Sequence, residues 1–269
     1  YATFLPAEGM ELGAVRGMLN FSFSDFKIEP RTNADIVSGP GTPRTISEIQ
    51  GFGFVSPHLD EYVETTGVVT GFFAGNVPGG GNFDAFLLQD SAGDADPSTS
   101  DGILVIAAGL PGTLAIGDLA TVTGVVKEYG EYDGTACTEG CMTTIFAASW
   151  SETATGSVTT TTLDPPTDTD GQLEYFESLE GMRVGIDGDA TVVGPTSFGT
   201  VFAVDADLGV ERVLRGTVND GKPVGVRHWE LYGDISGSDP PNLIVGSTIT
   251  NVDGPLVTSF GDYLLETQA

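Results

Sequence analysis

Histidine, cysteine, basic side chains and long apolar runs are all scarce in this sequence. His58 and His228 are the only histidines among 269 residues. They stand far apart, which leaves little material for histidine-based catalysis or a zinc centre. Lys plus Arg number 10 against 38 Asp plus Glu, a formal charge of −28. So anionic a surface repels phosphate backbones and anionic lipid, so neither nucleic acid nor membrane is an expected partner. No apolar run reaches the ~18 residues of a spanning helix, so no membrane insertion is expected. There is no Gly-x-Ser-x-Gly elbow, no phosphate-binding loop with lysine and no zinc helix motif. Helical periodicity is nearly absent too, with one short candidate at 170–179.

What is present is β-forming. Hydrophobic residues make up 40% of the chain, enough for a packed core, with 38 glycines and 15 prolines to punctuate it. Short runs rich in Val, Thr, Ile and Phe recur at 62–73, 85–89, 102–107, 119–126, 199–204 and 247–252. That spacing predicts an all-β sandwich or barrel. Two stretches read as linkers: 33–44, rich in Gly and Pro, and the Thr-rich 151–164 with the Pro165–Pro166 pair beyond it. The chain begins at Tyr1 and reads as mature, processed or excerpted.

The most informative feature is an internal repeat. Residues 9–29 align without a gap on 246–266. Gly9 meets Gly246, Leu12 meets Ile249, Val15 meets Val252 and Gly17 meets Gly254. Leu19 then meets Leu256, Phe23 meets Phe260, Asp25 meets Asp262, Phe26 meets Tyr263 and Glu29 meets Glu266. A looser copy runs from Gly117 to Tyr132, with Gly124 one residue early. The unit reads as strand, glycine kink, strand and aromatic-Gly-Asp-aromatic turn. Two copies close long β segments, whereas 9–29 stands alone at the N-terminus as an orphan hairpin. An unpaired hairpin is an exposed edge that something must cover. Leu12, Val15, Leu19, Phe21, Phe23 and Phe26 are its apolar positions, with Leu19-Phe21-Phe23 an alternating set for one buried face.

Several residue patterns resemble a known family. They are Thr45-Ile-Ser-Glu-Ile-Gln-Gly51, Ser56-Pro57, Thr66-Gly-Val-Val-Thr70, Phe86-Leu-Leu-Gln-Asp90, Gly93-Asp-Ala-Asp-Pro97, Thr99-Ser-Asp-Gly-Ile103, Ile116-Gly-Asp-Leu119 and Val122-Thr-Gly124. Together they resemble the non-catalytic β domains of large secreted bacterial nucleases of the endonuclease/exonuclease/phosphatase type. Leu179-Glu-Gly-Met-Arg-Val184 onward to Arg215 is similar to the next module of those proteins, and so is the ending at Tyr263. The resemblance implies OB-like barrels ahead of a catalytic domain. The Asp, Asn, Glu and paired His of that catalytic domain have no counterpart here, so no enzymatic activity is carried over. The expected organisation is therefore all-β. It has an N-terminal β-hairpin arm (1–32), a linker (33–44), an OB-like domain (45–150), a Thr-rich linker (151–164) and a second OB-like domain (165–269).

Candidate sites are few. Asp90, Asp94, Asp96 and Asp101 crowd one inter-strand loop, where a calcium ion or a set of Asx turns would each use them. Asp205 and Asp207 occupy a similar place after a strand. Cys137 and Cys141 could close a small disulfide loop through a turn at Gly140, or remain two thiols. Glu177 and Glu180 have the look of a carboxylate pair, but acids are so abundant that such spacings arise by chance. Trp150, Trp229, Phe72, Phe73 and Phe83 could form a sugar platform or pack in the core. Asn20-Phe21-Ser22 is a lone glycosylation sequon.

Charge, cysteines and orphan hairpin together point to a secreted, extracellular or cell-surface structural protein. Its partners would be copies of itself, joined head to tail into a filament or surface layer by strand addition. The alternatives are an accessory fragment of a secreted nuclease or phosphatase, the hairpin then being the end of a truncated domain, or a calcium- or carbohydrate-dependent adhesion module.

Overall fold

The computed structural model describes residues 12–32, 35–73, 84–107, 114–130, 141–166, 169–194, 196, 200–209, 224–229, 243–259 and 262–268. The fold is all-β. Near the N-terminus, β1 (Leu12–Val15) pairs with β4 (Ile36–Ser38), and β2 (Met18–Ser22) pairs antiparallel with β3 (Asp25–Glu29). The β2–β3 turn is made by two left-handed residues, Phe23 (φ 53°) and Ser24 (φ 70°). Such a turn suits the right-handed twist of a tight hairpin.

The first barrel is introduced by α1 (Ile46–Gln50). A reciprocal cap between Thr45 and Glu48 starts this helix, which sends Ile46 and Ile49 into the core. Its strands are β6 (Tyr62–Phe73), β7 (Asp84–Gln89), β8 (Gly102–Ala107), β9 (Asp118–Tyr129) and β10 (Met142–Thr155). They run β6-β7-β8-β10-β9 and close through β9 on β6, with β8 and β10 parallel. This is the five-stranded closed order of an OB-type barrel. The edge strand β5 (Thr42–Pro43) lies parallel to β6. In β7 and β8 the apolar residues are continuous, because both faces are buried. Phe86, Leu88, Ile103 and Val105 line the barrel interior, while Ala85, Leu87, Leu104 and Ile106 face outward into a second core.

The second barrel follows α2 (Thr169–Glu177), the helix anticipated at 170–179. Its first strand is bent into β12 (Arg183–Gly185) and β13 (Asp189–Val192), with Gly188 at φ 73° between them. Its fourth is bent into β16 (Thr248–Thr250) and β17 (Asp253–Ser259), with Asn251 at φ 55°. Counting each bent strand as one, β14 (Thr200–Asp205), β15 (Val224–Trp229) and β18 (Asp262–Gln268) give the same closed order, with β15 and β18 parallel. The stretch 151–164 joins the barrels without being wholly loop. Residues 151–155 extend β10 along β9, and β11 (Thr161–Thr162) pairs with β12. Likewise β4 and β5 fall within 33–44.

The sequence repeat is a repeat of register. Leu19 faces Ile28, Phe21 faces Phe26 and Ser22 faces Asp25. Leu256 faces Leu265, Thr258 faces Tyr263 and Ser259 faces Asp262 at the aligned positions. A Cβ on Gly17 would meet the Glu29 carbonyl oxygen at 2.3 Å, and one on Gly254 would meet that of Glu266 at 2.0 Å. In the looser copy, a Cβ on Gly124 would meet the Phe146 oxygen at 2.4 Å. In all three places glycine lets the partner strand's carbonyl come close. Each barrel's fourth strand also opens on a left-handed glycine, Gly117 at φ 94° and Gly246 at φ 89°.

Candidate functional site

Alternation along β2 and β3 puts Leu19, Phe21, Phe26 and Ile28 on one face of the hairpin. Phe21 and Phe26 touch across it, ring centroids 4.9 Å apart. All four are exposed, from 52% for Ile28 to 74% for Phe26. The opposite face is polar apart from Met18: Asn20 Nδ2 donates to Glu29 Oε1 at 2.7 Å, with Lys27 alongside. Phe23 does not continue the Leu19-Phe21 face as expected. The left-handed pair reverses the chain first, so its ring caps the turn, 92% exposed, with the Lys27 ammonium 5.1 Å from its centroid. Leu12 and Val15 belong to β1, a separate strand. The residues at the four apolar-face positions in the second barrel are Leu256, Thr258, Tyr263 and Leu265, all buried, three of them in its core. The arm thus presents a barrel's inward face to solvent. At its base the Arg31 guanidinium binds Asp35 through two nitrogens, holding that carboxyl down at about 2.

A second constellation lies in the seam between the barrels. The turn after α2 brings Gly181 backbone-to-backbone against Gly102 of β8; a Cβ on Gly102 would stand 2.2 Å from the Gly181 carbonyl carbon. Around this contact Ser100 Oγ donates to the Glu180 carbonyl at 2.5 Å, and Arg183 N–H donates to Gln89 Oε1 at 2.8 Å. Gln50 Nε2 donates to the Gly102 carbonyl at 2.6 Å. Val257 and Leu264 pack into the outward core of the first barrel with Phe73, Leu87, Leu104 and Met142.

The Glu180 side chain is fully buried here. Its Oε1 accepts from Thr143 N–H at 2.7 Å, and its Oε2 has no hydrogen-bond partner among the described residues. Burial, then the neighbouring Glu177 and Glu128, push its carboxyl well above the ordinary range. Burial also raises Glu177, to about 7, against the Tyr263 hydroxyl that donates to it at 2.6 Å. Glu128 is raised by burial, while Ser56 N–H donates to it at 2.7 Å. The pair set aside in the sequence as chance spacing is therefore an interface element. Nothing local marked it, because its burial depends on the other barrel.

The acidic loop uses its carboxylates on itself. Asp90 Oδ1 accepts from Ala92 N–H at 2.9 Å, Asp94 Oδ1 from Asp96 N–H at 2.8 Å, and Asp96 Oδ1 from Ser98 N–H at 3.0 Å. Asp101 Oδ1 accepts from Asp94 N–H at 3.2 Å. The first three are Asx turns, and the Asp101 bond ties the end of the loop back to its middle. Among the described residues no group of three or more His, Cys, Asp or Glu side chains is placed to hold a metal ion. Asp205 likewise caps its own turn, accepting from Asp207 N–H at 2.8 Å. Phe72 and Phe73 are buried and Trp150 packs edge-on against Phe86 in the core, so these three form no surface platform; Phe83 lies outside the described residues. Cys141 is buried, and no cysteine among the described residues is free; Cys137 lies outside them.

Residues 140–269 match a family described as Domain of unknown function (DUF8508). The matched region takes in β10, the last strand of the first barrel, and the whole second barrel, and it leaves out the arm. No curated protein matches the chain.

Proposed function

We propose that the chain is an extracellular structural module whose copies associate head to tail through the N-terminal arm, as in a filament or surface layer, and that it is not an enzyme. One observation carries this reading. The arm repeats the register of β17–β18 pair for pair, yet the face that is core in the second barrel lies in water in the arm. Covering four such side chains contributes on the order of 1.5–3 kcal/mol each before ordering costs are deducted. A charge of −28 keeps such a subunit soluble outside its specific contact. The alternative, a non-catalytic accessory piece of a secreted nuclease or phosphatase, draws support from the OB-type strand order of both barrels. Under it the protein stays monomeric.

The test is sedimentation and electron microscopy of the intact protein beside a variant lacking residues 1–32. The intact chain is expected to assemble, and the shortened chain to remain a folded monomer that melts in one cooperative transition. Assembly by the shortened chain, or a monomeric intact chain at high concentration, refutes the proposal.

A further inference from the structure

Away from the arm, exposed large hydrophobics among the described residues gather in two places. Phe52, Val55 and Leu59 stand in the loop after α1, and Phe202, Ile244 and Val245 stand on the second barrel. Hydrogen bonds bring the second group together from separate parts of the chain. Val193 N–H donates to the Phe202 carbonyl at 2.8 Å, and Gly246 N–H donates to the Val192 carbonyl at 2.8 Å. The end of β13 therefore runs between Phe202 on one edge and the turn carrying Ile244 and Val245 on the other. The turn is fixed in turn by Ser247 N–H, which donates to the Ile244 carbonyl at 2.9 Å. The Thr196 hydroxyl also accepts from Leu243 N–H and donates to its carbonyl, each at 3.0 Å. We propose that this patch on the second barrel is the tail that receives the arm of the next copy, the face of Leu19, Phe21, Phe26 and Ile28 lying on Phe202, Ile244 and Val245. The proposal rests on the assembly reading above and names both surfaces of the contact on this chain.

Charge favours the arm as the part that approaches another copy. Residues 12–35 carry three basic side chains against three acidic ones, neutral within a chain of formal charge −28. Two such bodies repel wherever they face each other, and the arm escapes that repulsion. Arg31 is held by Asp35, while Arg16 and Lys27 have no acidic partner among the described residues. The two patches differ in what they offer these cations. At the loop after α1 the acids are already paired, Asp60 with Lys127 and Glu61 with Arg44. On the strands of the second patch, Asp189 opens β13 and Asp205 ends β14, and neither has a basic partner among the described residues.

Topology points the same way. The arm's chain enters the first barrel through β5, which pairs with the start of β6 just beyond the 52–59 loop. An arm bound at that loop sets two first barrels together, each arm near the other's loop, and the pair closes. An arm bound at the second barrel leaves one arm and one patch free, so the contact repeats head to tail. By their exposures the two faces offer on the order of 800 Å² of apolar surface together, with a polar rim to add, which is the low end for a specific contact.

The test is sedimentation of four full-length proteins: the intact chain, Phe26→Asp, Ile244→Asp and, as control, Phe52→Asp. The three sites are 74%, 76% and 73% exposed, so each variant is expected to fold. Phe26→Asp and Ile244→Asp are each expected to weaken association at least about ten-fold, because a carboxylate then faces an apolar surface. Phe52→Asp is expected to leave it within about two-fold. An equimolar mixture of Phe26→Asp and Ile244→Asp leaves one sound arm and one sound patch, and is expected to give dimers and nothing longer. Wild-type assembly by Ile244→Asp beside an inactive Phe26→Asp would put the arm on another surface, overturning the proposal but not the assembly reading. Loss of assembly in Phe52→Asp, or a mixture that stays monomeric, would overturn it in the same way. A monomeric intact chain would overturn both.

Discussion

Two glycines let the barrels meet backbone against backbone. Gly102 opens β8 and Gly181 closes the turn after α2, at φ 74°, and each lies where the other's backbone would collide with a Cβ. A side chain there cannot rotate away, because the obstacle is main chain. Gly102→Ala is therefore expected to force the barrels apart and lower stability by about 3 kcal/mol, the upper range for overpacking. Chemical denaturation would measure it, and Ala at Gly194, where the backbone is not left-handed and a Cβ would meet Phe202 at an ordinary 3.4 Å, is the control for glycine replacement in general. Both glycines sit in the sequence among ordinary turn signals, and only the packing of one barrel on the other separates them from the rest.

At the scale of elements, hairpins and loops follow local chemistry closely. The Asx turns at Asp90, Asp94 and Asp96 are what that spacing of Asp, Gly and Ser favours, and the capping box at Thr45 and Glu48 is written in consecutive residues. The disulfide reading of Cys137 and Cys141 belongs at this scale. Alkylation with and without reduction, read by mass spectrometry, is expected to find no free thiol before reduction. Two thiols alkylated without reduction would refute the bond. Its removal is expected to cost little, because so small a loop restrains few unfolded conformations. The arm was legible as an unpaired hairpin, but its faces were not. Counting alternation from Leu19 put Phe23 on the apolar side, while the left-handed turn placed it at the tip and left Ile28 to complete the face.

Over the whole molecule the barrels share a buried, acid-lined seam, and that sets a pH dependence. Folded Glu177 is raised to about 7 from an ordinary 4.5, and burial raises Glu180 well above the ordinary range too. Above pH 4.5 the unfolded chain releases these protons while the folded chain keeps them, so rising pH favours unfolding. The loss develops from about pH 4.5 and, for Glu177, levels off above about 7, at no more than about 3 kcal/mol for that one group. The melting temperature is expected to fall between pH 5 and pH 8. Glu180→Gln, neutral at every pH, is expected to raise it at pH 8 and flatten the slope. An unchanged slope in that variant would remove Glu180 as a cause. Because hydrogen bonds and a common apolar core cross the seam, both barrels are expected to melt together.

The sequence by itself determined the all-β class, the places of most strands, the short helix before the second barrel, and the recurrence of the 9–29 hairpin at 246–266. These depend on alternation, turn residues and glycine placement, which act over a few neighbours. Tertiary structure alone decided that β7 and β8 are buried on both faces, that Glu177 and Glu180 are sealed between barrels rather than solvated, and that Gly102 meets Gly181. Each of these requires residues far apart in the chain to be brought into contact, from 37 positions for Thr143 and Glu180 to 80 for Ser100 and Glu180 and more for β7 and β8 with Val257 and Leu264. The acid pair shows the reason most plainly. A carboxyl's environment is set by what excludes water from it, and at Glu180 that is the backbone and side chains of the other barrel.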